Sequence, residues 1–303
     1  MEPTRPKLPS EAIELYNLFI HGVISRRSFM DGVQRFAVGG LAAATIIEAL
    51  MPNYAQAQQV SKTDDRIKAT YETVPSPHGN GSIKGYLVRP ASADTRSETA
   101  AKLPGIIVVH ENRGLNPHIE DVARRLALVN FMAFAPDGLT SLGGYPGDDY
   151  KGGQMFSKVD GKKMAEDFIA SAMWLKARAD CTGKIGITGF CYGGSISNAM
   201  AVRLGGDLAA AAPYYGGVPA NEEIPKIKAA VLVHHGALDT RLATTWPAYD
   251  MALKAINVPH EGYIYPDAVH GFNCDATPER YNKAAADLAW QRTIGWFNKY
   301  VRV

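Results

Sequence analysis

The chain has 303 residues, 46% of them hydrophobic and 20% charged, with 32 Lys+Arg against 30 Asp+Glu for a formal net charge of +2. That is too apolar and too evenly charged for a disordered chain. It also lacks the basic surplus that would imply nucleic acid or an anionic membrane as partner. The three cysteines, Cys181, Cys191 and Cys274, have neither the paired spacing of a zinc site nor the number for a disulfide framework. Cys181 and Cys274 read as unpaired, buried thiols, with a mutual disulfide as the alternative in an oxidising compartment.

The first sixty residues stand apart. Ser25-Arg26-Arg27-Ser28-Phe29-Met30 has the twin-arginine form, a weakly apolar stretch runs from Phe36 to Met51, and Ala55-Gln56-Ala57 is an A-x-A type cleavage site. Read together they predict export to the periplasm, with a mature chain starting near Gln58. The apolar stretch is too short, and too broken by Glu48, to predict a stable membrane span. The alternative is a cytoplasmic protein that keeps residues 1–57 as a helical extension. In it, Ser10 caps a short amphipathic helix bearing Ile13, Leu15, Leu18 and Phe19, and Ser25 caps a second helix continuing to about Leu50.

From Asp65 onward strands alternate with helices. Ile83–Val88 alternates as a half-exposed strand, and Gly105–Val109 is a continuous β-branched run of the buried parallel kind. Asn116-Pro117 opens a helix whose apolar face is Ile119, Val122, Ala123, Leu126 and Ala127. Phe131–Ala135 is a short buried strand, and Gly138–Gly153, with six glycines and Pro146, reads as a loop. There follow a helix over 159–179, a strand Lys184–Thr188, a small-residue helix Gly193–Arg203, and strands Ala209–Tyr215 and Ala229–His235. The chain closes with a helix Trp246–Asn257, a strand Glu261–Tyr265 and a helix over Pro278–Tyr300. This order predicts one α/β catalytic domain over residues 58–303, a mostly parallel sheet with helices on both faces. Active groups in such sheets gather at the carboxyl ends of the strands.

Gly189-Phe190-Cys191-Tyr192-Gly193-Gly194 follows a strand directly and opens a helix. It is the G-x-S-x-G nucleophile-elbow pattern with cysteine in the serine's place. Side chains at 189 and 193 would collide with the neighbouring strand and helix, and the helix amino terminus favours a thiolate at Cys191. Asp239 follows the strand Ala229–His235, and His270 lies in the loop after Glu261–Tyr265. The order nucleophile, acid, histidine is that of α/β-hydrolases. In His110-Glu111-Asn112-Arg113-Gly114, after the strand Gly105–Val109, the backbone N–H of Asn112 is expected to join that of Tyr192 in an oxyanion hole. Glu111 is expected near Cys191, holding the thiol proton in the resting enzyme; the alternative is a salt bridge with Arg113 or another cation. His234 and His235 point to opposite faces of one strand, which excludes joint chelation of a metal. No cofactor is required by this set.

Cys191 in G-F-C-Y-G-G, with H-E-N-R-G upstream, Asp239 in H-G-A-L-D and His270 in H-G-F, resembles the dienelactone hydrolase family across Tyr71–Val301. The resemblance implies an α/β-hydrolase fold, a Cys191–Asp239–His270 triad, and hydrolysis of a small ester or lactone such as the enol-lactone ring of dienelactone, giving maleylacetate. It also implies that Glu111 matches the family's glutamate that contacts the resting thiol. One departure concerns substrate. Family members acting on chloroaromatic breakdown products hold the substrate carboxylate with two arginines, and the position four residues after the histidine is Cys274 here. The region of the other arginine is the glycine-rich loop with Lys151, so Arg113 or Lys151 is the expected substitute. An acyltransferase or lyase on the same fold, and a non-catalytic thiol sensor or binding protein, are the alternative functions.

Overall fold

The computed structural model describes residues 8–20, 23–37, 42–92 and 102–302. In chain order the elements are α1 (Ser10–Ile20), α2 (Arg26–Gln34), α3 (Ala43–Leu50), α4 (Tyr54–Ala57), β1 (Ile67–Ser76), β2 (Gly81–Pro90), β3 (Leu103–Val109), α5 (Pro117–Leu128), β4 (Met132–Pro136), α6 (Asp149–Phe156) and α7 (Gly161–Ala177). There follow β5 (Cys181–Phe190), α8 (Tyr192–Leu204), β6 (Ala210–Tyr214), β7 (Ala230–Gly236), α9 (Thr240–Ala243), α10 (Trp246–Ala255), β8 (His260–Tyr265) and α11 (Lys283–Tyr300). Among the described residues no helix is long and apolar enough to cross a membrane.

The strands form one eight-stranded sheet in the order β1-β2-β4-β3-β5-β6-β7-β8. β1–β2 and β2–β4 pair antiparallel, and every pair from β4–β3 to β7–β8 is parallel. The pleat sorts the central strands onto two cores. Ile106 and Val108 pack on one face with Ile119, Val122 and Leu126 of α5 and Phe297 of α11. Ile107 and Val109 pack on the other with Phe168 and Leu175 of α7, Met200 of α8 and Leu253 of α10. Both faces being covered, β3 is apolar throughout, which is why it reads as a run rather than an alternation.

After β3 the chain moves to β4 on one side, then returns to place β5 on the other. The loops leaving β3 and β5 therefore diverge from a shared crevice, the place where doubly wound sheets put their ligands. The Val109↔Gly189 pairing sets both exits at one level.

The N-terminal helices build a small core of their own from Leu8, Ala12, Tyr16, Phe29, Val33, Ile46 and Leu50. Ser25 caps α2 by accepting from the Ser28 N–H at 3.1 Å. The expected cap by Ser10 rests on a side chain outside the described ones. The segment lies on the carboxyl-end face of the sheet. Tyr54 donates to Asp149 at 2.6 Å, Asn116 Nδ2 donates to the Tyr54 hydroxyl at 2.8 Å, and Asn53 N–H donates to the Ala276 carbonyl at 2.6 Å.

Several boundaries differ from the sequence reading. The helix from Ser25 stops at Gln34, α3 begins only at Ala43, and residues 38–41 between them lie outside the described residues. The glycine-rich stretch 138–153 holds a 3-10 turn and α6. Asp148 caps α6 by accepting from the Lys151 N–H at 2.8 Å, and Gly152 is in the helix because a Cβ there would stand 2.4 Å from the Arg113 carbonyl oxygen. The last helix starts at Lys283, where Asn282 caps it, because 277–281 turn back on Thr277. The edge strand β1 carries no apolar alternation, since most of its side chains face solvent.

Candidate active site

Cys191 sits at the turn between β5 and α8 with φ 55° and ψ −111°, a conformation that an L-residue adopts only when its surroundings impose it. The two glycines impose it. A Cβ at Gly189 would lie 2.2 Å from the Gly193 carbonyl oxygen, and one at Gly193 would lie 2.2 Å from the Val109 carbonyl oxygen. The turn is pinned by Cys191 N–H donating to the Tyr214 carbonyl at 3.1 Å. The thiol is thereby lifted off the sheet into the crevice beside the β3 exit.

Asp239 and His270 approach from β7 and β8. Ala237 N–H donates to the Tyr265 carbonyl at 2.8 Å and Leu238 N–H to the Ala268 carbonyl at 3.0 Å, so the two loops are tied to one another. His270 Nδ1 lies 2.6 Å from Asp239 Oδ2. An ionised carboxylate only accepts, so Nδ1 carries the proton and donates. Burial and the His270 hydrogen bond oppose one another at Asp239, and the hydrogen bond with the nearby charges wins, holding the carboxyl below its usual range. The imidazole is also hydrogen-bonded to the Cys191 thiol. Burial disfavours an imidazolium here, but the Cys191 sulfur and the Asp239 carboxylate outweigh it and lift His270 to about 9.

The β3 exit carries the remaining nominated residues. Tyr192 is the first residue of α8, so its N–H has no carbonyl partner within the helix. Asn112 is in the loop that faces it, with its side-chain Nδ2 donating to the Ile20 carbonyl at 2.8 Å. The loop is held by His110, whose Nε2 accepts from the Gly138 N–H at 2.9 Å while its Nδ1 bonds the Glu111 carbonyl. Burial keeps His110 neutral, which suits one accepting and one donating nitrogen.

Glu111 is buried, yet its carboxyl is held below the usual range: burial pushes it up, and Arg280, Arg113, His118 and His270 together pull it further down. Of the two cations nominated, Lys151 is exposed on α6, and Arg113 is buried with an ion pair to Asp149 at 3.5 Å. Arg280 escaped the sequence reading because 278–300 resembles one continuous helix. It is buried, and its guanidinium lies where a side chain on Gly271 would be, with Nη1 2.7 Å from that position.

His234 bonds the hydroxyls of Tyr265 at 2.9 Å and Thr293 at 3.0 Å, far from a ligand role. Among the described residues no cluster of His, Cys, Asp and Glu has the geometry to hold a metal ion. None of the three cysteines forms a disulfide.

The model of the dienelactone hydrolase family matches residues 83–301. The chain belongs to the dienelactone hydrolase family. It is 33% identical over 256 residues to a protein of Escherichia coli O157:H7 provisionally described as a carboxymethylenebutenolidase, covering 80% of this chain and 90% of that one. A provisionally described hydrolase fragment of Escherichia coli K12 is 52% identical over 120 residues, 40% of this chain and 97% of the fragment. Among solved structures, a provisionally assigned dienelactone hydrolase of Klebsiella pneumoniae superposes with a TM-score of 0.67 at 31% identity, over 77% of this chain and 99% of that one. The sheet and its helices are accordingly the α/β-hydrolase fold, and the dienelactone hydrolase relationship makes this chain an enzyme of ester or lactone hydrolysis. The family match begins in β2, so α1–α4 lie outside it.

Proposed function

We propose that the chain is a cysteine-nucleophile hydrolase of a small ester or lactone, working through Cys191, His270 and Asp239. The observation that carries this is the continuous hydrogen-bonded line from Asp239 through His270 to the strained Cys191 elbow.

The thiolate attacks the ester carbonyl carbon, and the C–S bond forms as the carbonyl π pair moves to oxygen. The N–H groups of Asn112 and Tyr192 take up that oxyanion; one such donor typically contributes roughly 100- to 1000-fold in rate. The tetrahedral centre collapses to a thioester, and the leaving alkoxide takes the proton from His270 Nε2. Neutral His270 then removes a proton from water, the hydroxide attacks the thioester, and the C–S bond breaks to restore thiolate and imidazolium. Asp239 orients the ring throughout and stabilises its cationic form.

In this scheme Glu111 is the counter-charge of Arg280 and Arg113 rather than the holder of the thiol proton. The lowered pKa of Glu111 and the raised pKa of His270 both favour the proton residing on the imidazole.

The test is hydrolysis of p-nitrophenyl acetate and of dienelactone by the full chain beside Cys191→Ala. Turnover lost in the variant supports the proposal. Turnover that survives it, or none on any ester, overturns it; acceleration by an added acyl acceptor with slow hydrolysis points to the acyltransferase reading instead.

A further inference from the structure

Helix α1 bridges the two sides of the site. Its Ile20 carbonyl accepts from Asn112 Nδ2 at 2.8 Å, and its inward Tyr16, 1% exposed, has its ring centre 5.5 Å from the Arg280 guanidinium. The helix separates two clefts. Phe19 and Ile20 line one of about 460 Å³ together with Asn112 and Phe156. Ile13 and Leu18 line the other, of about 800 Å³, together with Leu238, Val269, Asp239 and His270. That volume is in the range of small-molecule sites.

The chemistry tells the two clefts apart. In the proposed mechanism the Asn112 N–H holds the carbonyl oxygen, and the leaving alkoxide takes its proton from His270 Nε2. The alcohol oxygen of an ester therefore stands beside His270. The chain it carries extends along the Asp239–His270 side, where the larger cleft lies. The smaller cleft belongs to the side of the oxyanion loop.

The larger cleft gathers apolar side chains that folding has left in water. Of the large hydrophobic side chains exposed among the described residues, Leu18 (37%), Val23 (67%) and Leu238 (60%) all meet there, and Ile13 and Val269 join them. A single exposed leucine needs no explanation, but several that converge on one concave site beside a reacting group mark a ligand surface. Leu238 follows β7, whereas Leu18 and Val23 stand at the other end of the chain, so the fold and not a local sequence pattern brings them together. Glu14, Asn17 and Arg241 supply the polar rest of the lining.

We propose that Leu18 of α1 and Leu238 are specificity-determining residues, forming with Ile13 a subsite for the apolar chain on the alcohol side of an open-chain ester. A small lactone keeps its alcohol tied to its acyl part and leaves this cleft empty. The inference thus rests on the hydrolase reading and narrows it to acyclic esters of apolar alcohols. It also assigns to the substrate site a helix that lies outside the family match.

The experiment measures kcat/KM of the full chain on two ester series. One varies the alcohol (methyl, butyl and hexyl acetate), the other the acyl chain (methyl acetate, butyrate and hexanoate). Straight-chain alcohols have nearly equal acidity, so their length changes binding and hardly the chemistry. Each buried CH₂ favours binding roughly fourfold, so the hexyl-to-methyl ratio along the alcohol series should be at least about tenfold in the parent. Leu238→Ser, alone and with Leu18→Gln, changes exposed side chains, and a melting curve checks that each variant is folded. The alcohol ratio should fall by about tenfold in the double variant, chiefly through KM, and the acyl ratio by less than twofold. A flat alcohol series in the parent, an alcohol ratio in the folded variants within twofold of the parent's, or an equal fall in the acyl ratio each overturn the inference while leaving the hydrolase reading standing. Absence of Cys191-dependent turnover on every ester is instead the failure of the hydrolase reading, and the inference falls with it.

Discussion

Val109 and Gly189 are register partners between β3 and β5, and that pairing sets the level at which Glu111 and Cys191 leave the sheet. A one-residue slip would turn every side chain of β3 to the opposite core. It would also carry the 110–114 loop away from the thiol. The buried alternation of Ile106, Ile107, Val108 and Val109 between two cores thus fixes the chemistry as well as the fold.

Gly193 is the tightest expression of that register. Gly193→Ala places a Cβ 2.2 Å from the Val109 carbonyl oxygen, a backbone atom that cannot swing aside. The expected loss is roughly 3 kcal/mol of stability. Denaturant titration of the variant checks it, and a midpoint equal to the parent's would refute the packing argument.

The pH dependence of stability follows from His270. Its folded value is raised to about 9 against an ordinary 6.5 or so. Between those values the folded imidazole holds a proton that the unfolded one has released, so the His270 contribution to stability falls as pH rises. The His270 contribution is whole below about pH 6.5 and gone above about pH 9. An NMR titration of the His270 ring should place its transition near 9, and Cys191→Ala should lower it, since the sulfur is the largest of the favourable causes.

Asp239→Asn leaves the loop geometry but removes the charge that faces Nδ1. The imidazolium is then less favoured and Cys191 less often a thiolate. The alkylation rate with iodoacetamide at pH 7 should drop at least about tenfold, and kcat by roughly 10³- to 10⁴-fold, as for other triads deprived of the acid. A variant alkylated as fast as the parent would remove Asp239 from the mechanism.

His110 is a positioning residue. His110→Ala strands the Gly138 N–H and the Glu111 carbonyl in the interior. We expect a loss of about 1–3 kcal/mol in stability. Because the 110–114 loop also offers the Asn112 N–H, kcat should fall while KM moves little. A purely structural role would leave the kcat of the folded fraction intact.

Asp149 ties the N-terminal helices to the catalytic face through Tyr54, Tyr145 and Arg113. Asp149→Asn removes the carboxylate in ion-pair contact with the buried Arg113 guanidinium and leaves it to Glu111 alone of those two charges. Breaking such a pair typically costs about 3–5 kcal/mol. Limited proteolysis should then cut within residues 8–57 faster than in the parent.

The sequence disclosed those features whose cause is local. The elbow announces itself because glycine is the one residue that fits at 189 and 193. The strand and helix order was readable because α5 and β3 carry their burial in their spacing. Asp239 and His270 were found by chain order, and the geometry brings both to Cys191. Arg280 and Tyr16 had no such signal. Their burial arises from packing between segments more than 250 residues apart in the chain, and nothing in the spacing of either segment announces it. α6 was hidden for a related reason: its glycines mark the close approach of the 112–113 backbone, not a loop.

Cys181 is 3% exposed and Cys274 2%, whereas Cys191 is partly open. Burial also pushes the Cys274 thiol up to about 12 and raises that of Cys181, which disarms both toward electrophiles. A folded chain therefore presents itself to a thiol reagent as a monothiol and an unfolded one as a trithiol. The stoichiometry of labelling becomes a census of folded molecules, counting in any preparation the fraction of chains that shelter Cys181 and Cys274, before a substrate is known.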